Sequence, residues 1–221
     1  MLKKIRSQRL QAGLSLTVSQ VPALLWAWTP MAVVAFGISA CAVSSVQPLT
    51  VPLSYKASSK QTAFARSYAC NAIAQVKATD ARTDKALGTR VHESKPLKAE
   101  VSASGDAGSW VEDGVQRYLT KTGIQVQGNG PTLHITLDSL HTTESIWHRS
   151  SYEARIGLTA VLQSPAGKPC WQDNFEATSG DYGYSGNIDT YQGMLNAALD
   201  AATLRLAESK GFQNALCHCG N

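Results

Sequence analysis

From Ser151 to Gln163 apolar and polar side chains alternate: Tyr152, Ala154, Ile156, Leu158, Ala160 and Leu162 against Ser151, Glu153, Arg155, Thr159 and Gln163. A period of two is a strand with one dry face and one wet face. Leu133, Ile135 and Leu137, set between His134, Thr136 and Asp138, predict the strand before it. Trp171, Phe175 and Ala177 predict the strand after it, and Ala72, Ala74, Val76 and Ala78 an earlier one. A short strand from Ile124 to Gln127 runs into Gly128-Asn129-Gly130-Pro131, a turn by composition.

Two segments change to helical period. Trp110, Val111, Val115, Tyr118 and Leu119 share one face, while Glu112, Asp113, Gln116, Arg117 and Lys121 turn away. Asp106 or Ser109 can cap this helix and Gly123 ends it. The second helix carries Tyr191, Met194, Leu195, Ala198, Leu199, Ala202 and Leu206, with Asp189 or Thr190 as its cap and Gly211 beyond its last turn. Amphipathic strands and one-sided helices bury each other as layers. The expected fold is therefore α+β, a two-layer sandwich with a mostly antiparallel sheet and two helices packed on one face.

Ahead of this region lies a different kind of sequence. Lys3, Lys4, Arg6 and Arg9 are the only charges before Lys56, and apolar residues are densest from Val21 to Ala40. A basic flank followed by an apolar stretch is an export signal. It closes on Ile38-Ser39-Ala40-Cys41, the lipobox pattern at which the cysteine is acylated and the leader cut before it. The apolar stretch is about 20 residues, the length of a membrane span, so an uncleaved anchor is the competing reading. The division expected is a lipoprotein signal at 1–40, a lipidated N-terminus and flexible tether at 41–68, a globular α+β domain at 69–212, and a Cys-His-Cys tail at 213–221. Ala42 after the cysteine, where an aspartate would retain the protein in the inner membrane, is consistent with a lipid-anchored, periplasm-facing protein of the outer membrane.

The leader also accounts for the charge. The 221-residue chain has a formal charge of +4, but the four basic leader residues supply all of it. Without a basic face on the domain, nucleic acid is excluded as a partner. Only 16% of residues are charged and 43% are hydrophobic, enough for a sizeable core.

Candidate chemistry is sparse. Cys70, Cys170, Cys217 and Cys219 are an even set in an oxidising compartment, where at least one disulfide is expected and three complete pairings are open. Cys217-His218-Cys219 lacks the ligand spacing of a zinc site. His134, His141 and His148 are seven apart, so an unbulged strand sends successive ones to opposite faces. No metal or cofactor is expected. Asp80, Arg82 and Asp84 could bind a ligand, although a salt-bridged turn at a strand end is the plainer reading. Tyr182 and Tyr184, in Asp181-Tyr182-Gly183-Tyr184-Ser185-Gly186, form an aromatic loop that could contact sugar or a partner, or serve as a connector. None of the common nucleophile, P-loop, zincin or dinucleotide motifs occurs, and no enzyme is expected.

The lipobox leader, the run from Asp80 through Arg82, Thr83 and Asp84 to Leu87, the amphipathic helix and the Gly128–Pro131 turn together resemble the YajG-like outer-membrane lipoproteins. The similarity runs in order from about Ala69 to Phe212; the longer leader, the extra cysteines and the Cys-His-Cys tail depart from it. The resemblance implies a small periplasm-facing lipoprotein and supplies no catalytic residue. The function expected is a non-catalytic envelope accessory or protein-binding module, docking through a strand edge or the Tyr182–Tyr191 region. The alternative is a binder or carrier of an envelope ligand such as lipid, lipopolysaccharide or peptidoglycan. A carrier needs an apolar pocket between helices and sheet; an accessory needs a filled core and an exposed patch.

Overall fold

The long alternation becomes the middle of a 7-stranded sheet in the computed structural model, which describes residues 46–57, 70, 72–126, 130–184 and 186–219. The strands are β1 (Leu49–Pro52), β2 (Ala72–Ile73), β3 (Gln75–Asp80), β4 (Gly88–His92), β5 (Leu97–Ser104), β6 (Gln125–Val126), β7 (Thr132–Ile146), β8 (Ser150–Gln163) and β9 (Pro169–Gly183). The helices are α1 (Ala107–Thr122), α2 (Ile188–Glu208) and α3 (Lys210–His218). The signal segment, Cys41 and the Gly128-Asn129 half of the expected turn lie outside the described residues.

Antiparallel ladders join β7 to β8 and β8 to β9 over almost their whole length. From β7 the sheet continues through β4 and β5 to β1, in the order β1-β5-β4-β7-β8-β9, and β3 also pairs with β7. Since β8 takes one edge of β7, β3 and β4 share the other end to end, both parallel to it: β3 lies against Thr132–Leu137 and β4 against Thr142–Ile146. A bulge in β7 between Leu137 and Ser139 separates the two stretches. It shifts the inward phase from Leu133, Ile135 and Leu137 to Leu140, Thr142 and Glu144. At the start of β4, Gly88 has φ +148°, and a Cβ there would sit 1.8 Å from the Thr142 carbonyl oxygen. Only glycine allows the strand to close on β7 at that point.

The even face of β8 is buried, as its period requires: Ala154, Ile156, Ala160 and Leu162 are fully enclosed in one core with Val111, Leu119, Leu195 and Leu199. The Asp106 side chain caps α1, accepting from the Ser109 amide at 2.5 Å, and Gly123 ends it in the left-handed region. Asn187, rather than Asp189 or Thr190, caps α2, its side chain accepting from the Thr190 amide at 2.9 Å. Ser209 ends α2 and caps the next helix, so Gly211 opens a third helix instead of marking a stop.

The structure corrects three further expectations. The earlier strand is broken at Ala74 into β2, which pairs with β6 in a small separate sheet, and β3. The tail expected over 213–221 is helical through His218, because Phe212 and Leu216 are apolar anchors on the face α3 buries. The tether expected over 41–68 is not a tether throughout. Its Val51 is fully buried on β1, which lies parallel to β5, and the Tyr55 hydroxyl donates to Asp200 Oδ1 of α2 at 2.6 Å. From Pro48 to Tyr55 the run is too short to show a period, but Val51 and Tyr55 dock it.

Candidate functional site

Register places five side chains in one inward row near the β7–β8 hairpin: Ala99 of β5, Arg90 of β4, Glu144 of β7, Tyr152 of β8 and Asp181 of β9. Arg90 and Glu144 stand at core positions and pair there, Arg90 Nε donating to Glu144 Oε2 at 2.5 Å. Tyr191 of α2 donates its hydroxyl to the same oxygen at 2.9 Å, and the Gly186 amide donates to Oε1 at 2.7 Å. Arg90 also donates to the carbonyls of Gly186 and Gln47, each at 3.1 Å. A buried charge pair is tolerable only when its remaining donors and acceptors are met, and these partners meet them. Burial and the neighbouring carboxylate push the Tyr191 phenol above its ordinary range.

This cluster ties three separate segments to one end of the sheet: the stretch before β1 through Gln47, the β9–α2 connection through Gly186, and α2 through Tyr191. Tyr152 packs edge-on to Tyr191, with ring centroids 6.5 Å apart. A Cβ on Gly186 would come within 2.7 Å of the Tyr152 ring and 2.9 Å of the Tyr191 ring, so the connection fits only with glycine. Residues 52–55 are fastened next to it. Gln192 donates to the Pro52 carbonyl at 2.7 Å, and Asn196, which accepts from the Trp110 indole at 2.9 Å, donates to the Ser54 carbonyl at 3.4 Å. Burial and the Asp200 carboxylate raise the Tyr55 phenol in the same way.

The sequence-derived candidates fall in other roles. Asp80 and Arg82 form a bidentate pair, with Arg82 Nε and Nη2 each 2.9 Å from an Asp80 oxygen, and Lys85 adds a contact at 3.1 Å. Burial raises the Asp80 carboxyl, but the hydrogen bonds from Arg82 and Lys85 outweigh it and hold the group down to about 2. Asp84 accepts from the Ala86 amide at 2.9 Å. The whole run is the crossover between β3 and β4 on the β7 edge, and it borders an open groove of about 460 Å³ with Asp106 and Gly108. Tyr182 and Tyr184 are 82% and 90% exposed. The bulge in β7 brings His134 and His141 to the same face, the case in which a spacing of seven does not separate them. Among the described residues no group of three His, Cys, Asp or Glu is placed to hold a metal ion. Cys70 is bonded to Cys217 and Cys170 to Cys219, with Cα separations of 5.1 and 5.9 Å, inside the usual range.

Sequence reading did not find Arg90, Glu144, Tyr191 or Gly186 as a group. Polar residues at inward positions erase the alternation that marks a strand, and the bulge hides the phase of Glu144. The usable signal was the spacing of three between Leu137 and Leu140, which betrays an extra residue.

The fold is a mixed α+β domain with a large, mostly antiparallel sheet and three helices, stapled by buried polar anchors. Residues 59–217 match the model of a family of uncharacterized lipoproteins, and the chain belongs to that family. No curated protein matches it. A protein from Xanthomonas campestris is similar at 13% identity, over 77% of this chain and 97% of that one, with a TM-score of 0.48. A candidate lipoprotein from Caulobacter crescentus is similar at 12% identity over 52% and 84%, TM-score 0.36. A minor lipoprotein from Acinetobacter baumannii is similar at 11% identity over 49% and 81%, TM-score 0.31. No helix among the described residues is long and apolar enough to cross a membrane.

Proposed function

We propose that this is an outer-membrane lipoprotein of the YajG-like kind, acylated at Cys41, whose periplasm-facing domain is a non-catalytic accessory that binds another envelope protein. The observation that carries this reading is a lipobox, Ile38-Ser39-Ala40-Cys41, a few residues ahead of the docked segment in a chain of a lipoprotein family. The carboxylates best placed for acid–base work are engaged in structure: Glu144 with Arg90 and Tyr191, Asp80 with Arg82, Asp200 with Tyr55. Buried apolar side chains of sheet and helices join in one core. The open groove of about 540 Å³ between β9 and the start of α2 is lined largely by polar residues such as Ser179, Asp181, Asp189 and Gln192, which favours an accessory over a lipid carrier. A two-layer arrangement, α1 and α2 on one face, leaves the opposite face and the β9 edge to a partner.

Labelled palmitate should enter the wild-type protein, fractionate with the outer membrane, and be lost in Cys41→Ala, whose leader should stay uncut. A photo-crosslinker at exposed Thr178 on β9 should capture one envelope protein in intact cells. Processing of Cys41→Ala at the same bond would defeat the lipoprotein reading, and a silent crosslinker at Thr178 would defeat binding at that edge.

A further inference from the structure

All the large apolar side chains that stand exposed among the described residues, Val91, Trp147, Tyr182, Tyr184 and Ile188, gather at one end of the domain. Val91, Ser145, Ser151 and Tyr182 form a single register row across β4, β7, β8 and β9 on the outward face. Trp147 is 61% exposed in the hairpin just beyond that row, beside His148 and exposed Arg149. Tyr184, in the β9–α2 connection, and Ile188, the first residue of α2, lie at the same end.

The chain enters the domain here too. β1 runs parallel to β5 with Leu49 level with Val101, so the residues before Leu49 head toward the row of Ala99 and Lys98, the hairpin end. The Gln47 carbonyl is fixed there by Arg90. Five residues lie between Cys41 and Gln47, and the six steps between them, fully extended, reach about 20 Å at most. The long strands extend about 50 Å. A lipid on Cys41 therefore holds the hairpin end near the bilayer and leaves the opposite end of the sheet beyond the leash.

Trp and Tyr, with apolar rings and a polar handle, partition to the headgroup zone of a bilayer, and a neighbouring Arg suits phospholipid phosphates. We propose that the end bearing Trp147, Tyr182, Tyr184, Val91 and Ile188 rests on the phospholipid surface to which Cys41 is anchored. This rests on the lipoprotein reading above, since the leash exists only if Cys41 is acylated. It orients the domain: the aromatic loop is a membrane foot, and the β9 edge stands out into the periplasm.

The test uses the mature lipidated protein in vesicles of phosphatidylethanolamine and phosphatidylglycerol with brominated acyl chains. After the leader leaves, Trp110, Trp147 and Trp171 remain, and only Trp147 is exposed. Bromolipid should quench the Trp147 emission and shift it to the blue. Trp147→Ser should remove the quenchable part, and Tyr182→Ser with Tyr184→Ser should weaken the quenching without altering the melting curve. The mass of the N-terminal peptide is read on the same sample. Acylated protein whose Trp147 is reached by acrylamide but not by bromolipid overturns the orientation and leaves the lipoprotein reading intact. Trp147 shielded from both quenchers points to a second copy or a protein partner at this end and also overturns it. An unacylated Cys41 overturns both readings.

Discussion

Replacing Glu144 by glutamine tests the buried anchor most directly, because it keeps the shape and removes the charge. In the wild type, Glu144 is 1% exposed and accepts from Arg90, Tyr191 and the Gly186 amide. The amide keeps one acceptor oxygen and substitutes donors for the other, so either the Gly186 amide or the Arg90–Tyr191 pair faces an N–H₂ group. Arg90 stays charged, with its carboxylate lost. Removing one member of a buried pair costs about 3–5 kcal/mol, mainly as the penalty on the charge left behind. For a domain of this size that lowers the melting temperature by roughly 10 °C or more. Urea unfolding of the soluble, leaderless protein with its disulfides intact should show a lower midpoint at an unchanged slope. Replacing both partners, Arg90→Met with Glu144→Leu, should recover much of the loss, because neither charge is then buried. A Glu144→Gln loss under about 1 kcal/mol would refute the reasoning: the Gln47 and Gly186 carbonyls would then satisfy Arg90 without the carboxylate.

The same logic extends elsewhere. Tyr55→Ala should cost about 3–5 kcal/mol by urea unfolding, because it empties a core site and removes a buried hydrogen bond to Asp200; no change would mean that the stretch before the domain is a plain tether after all. Asp80 is held below its usual 3.8, at about 2, so its pair with Arg82 adds stability that is full above 3.8 and fades as the pH falls toward 2. Wild type should exceed Asp80→Asn by about 1–2 kcal/mol at neutral pH, after allowance for screening, and the gap should close in that acid window. A gap that widens on acidification would reverse the sign. Digestion of unreduced, alkylated protein should release linked peptides holding Cys70 with Cys217 and Cys170 with Cys219, and each bridge should contribute about 2–4 kcal/mol. Four alkylated cysteines would contradict the pairing.

What could be read from the residues was whatever one period governs. β8 alternates cleanly because one face meets the helices and the other meets water, and α1 shows its apolar stripe for the same reason. β4 went unread because Arg90 occupies an inward position, whereas β5 was legible: Leu97, Ala99, Val101 and Ala103 alternate with Lys98, Glu100, Ser102 and Ser104. The β7 bulge changes phase halfway along, so no single alternation describes that strand. The Asp80–Leu87 run carried the family resemblance, yet its work is topological: it steps the chain from one half of the β7 edge to the other. The site at the hairpin end was invisible for a deeper reason. Its members come from β4, β7, β8, the β9–α2 connection and α2, and only the register brings them together.

The disulfides have a consequence for biogenesis. Of the four cysteines that follow Cys41, the first is bonded to the third and the second to the fourth, so the two bridges interleave. On the exported-lipoprotein reading proposed above, a chain threading into the periplasm from its N-terminus delivers Cys70 and then Cys170 to the oxidising machinery before either native partner has emerged. Indiscriminate oxidation at that stage joins the wrong two thiols. The final pattern requires that those thiols wait until α3 is across the membrane, or that a disulfide isomerase undo the early bond. Cells without such an isomerase should therefore accumulate a misoxidised form with altered mobility on a non-reducing gel, even though every cysteine is consumed.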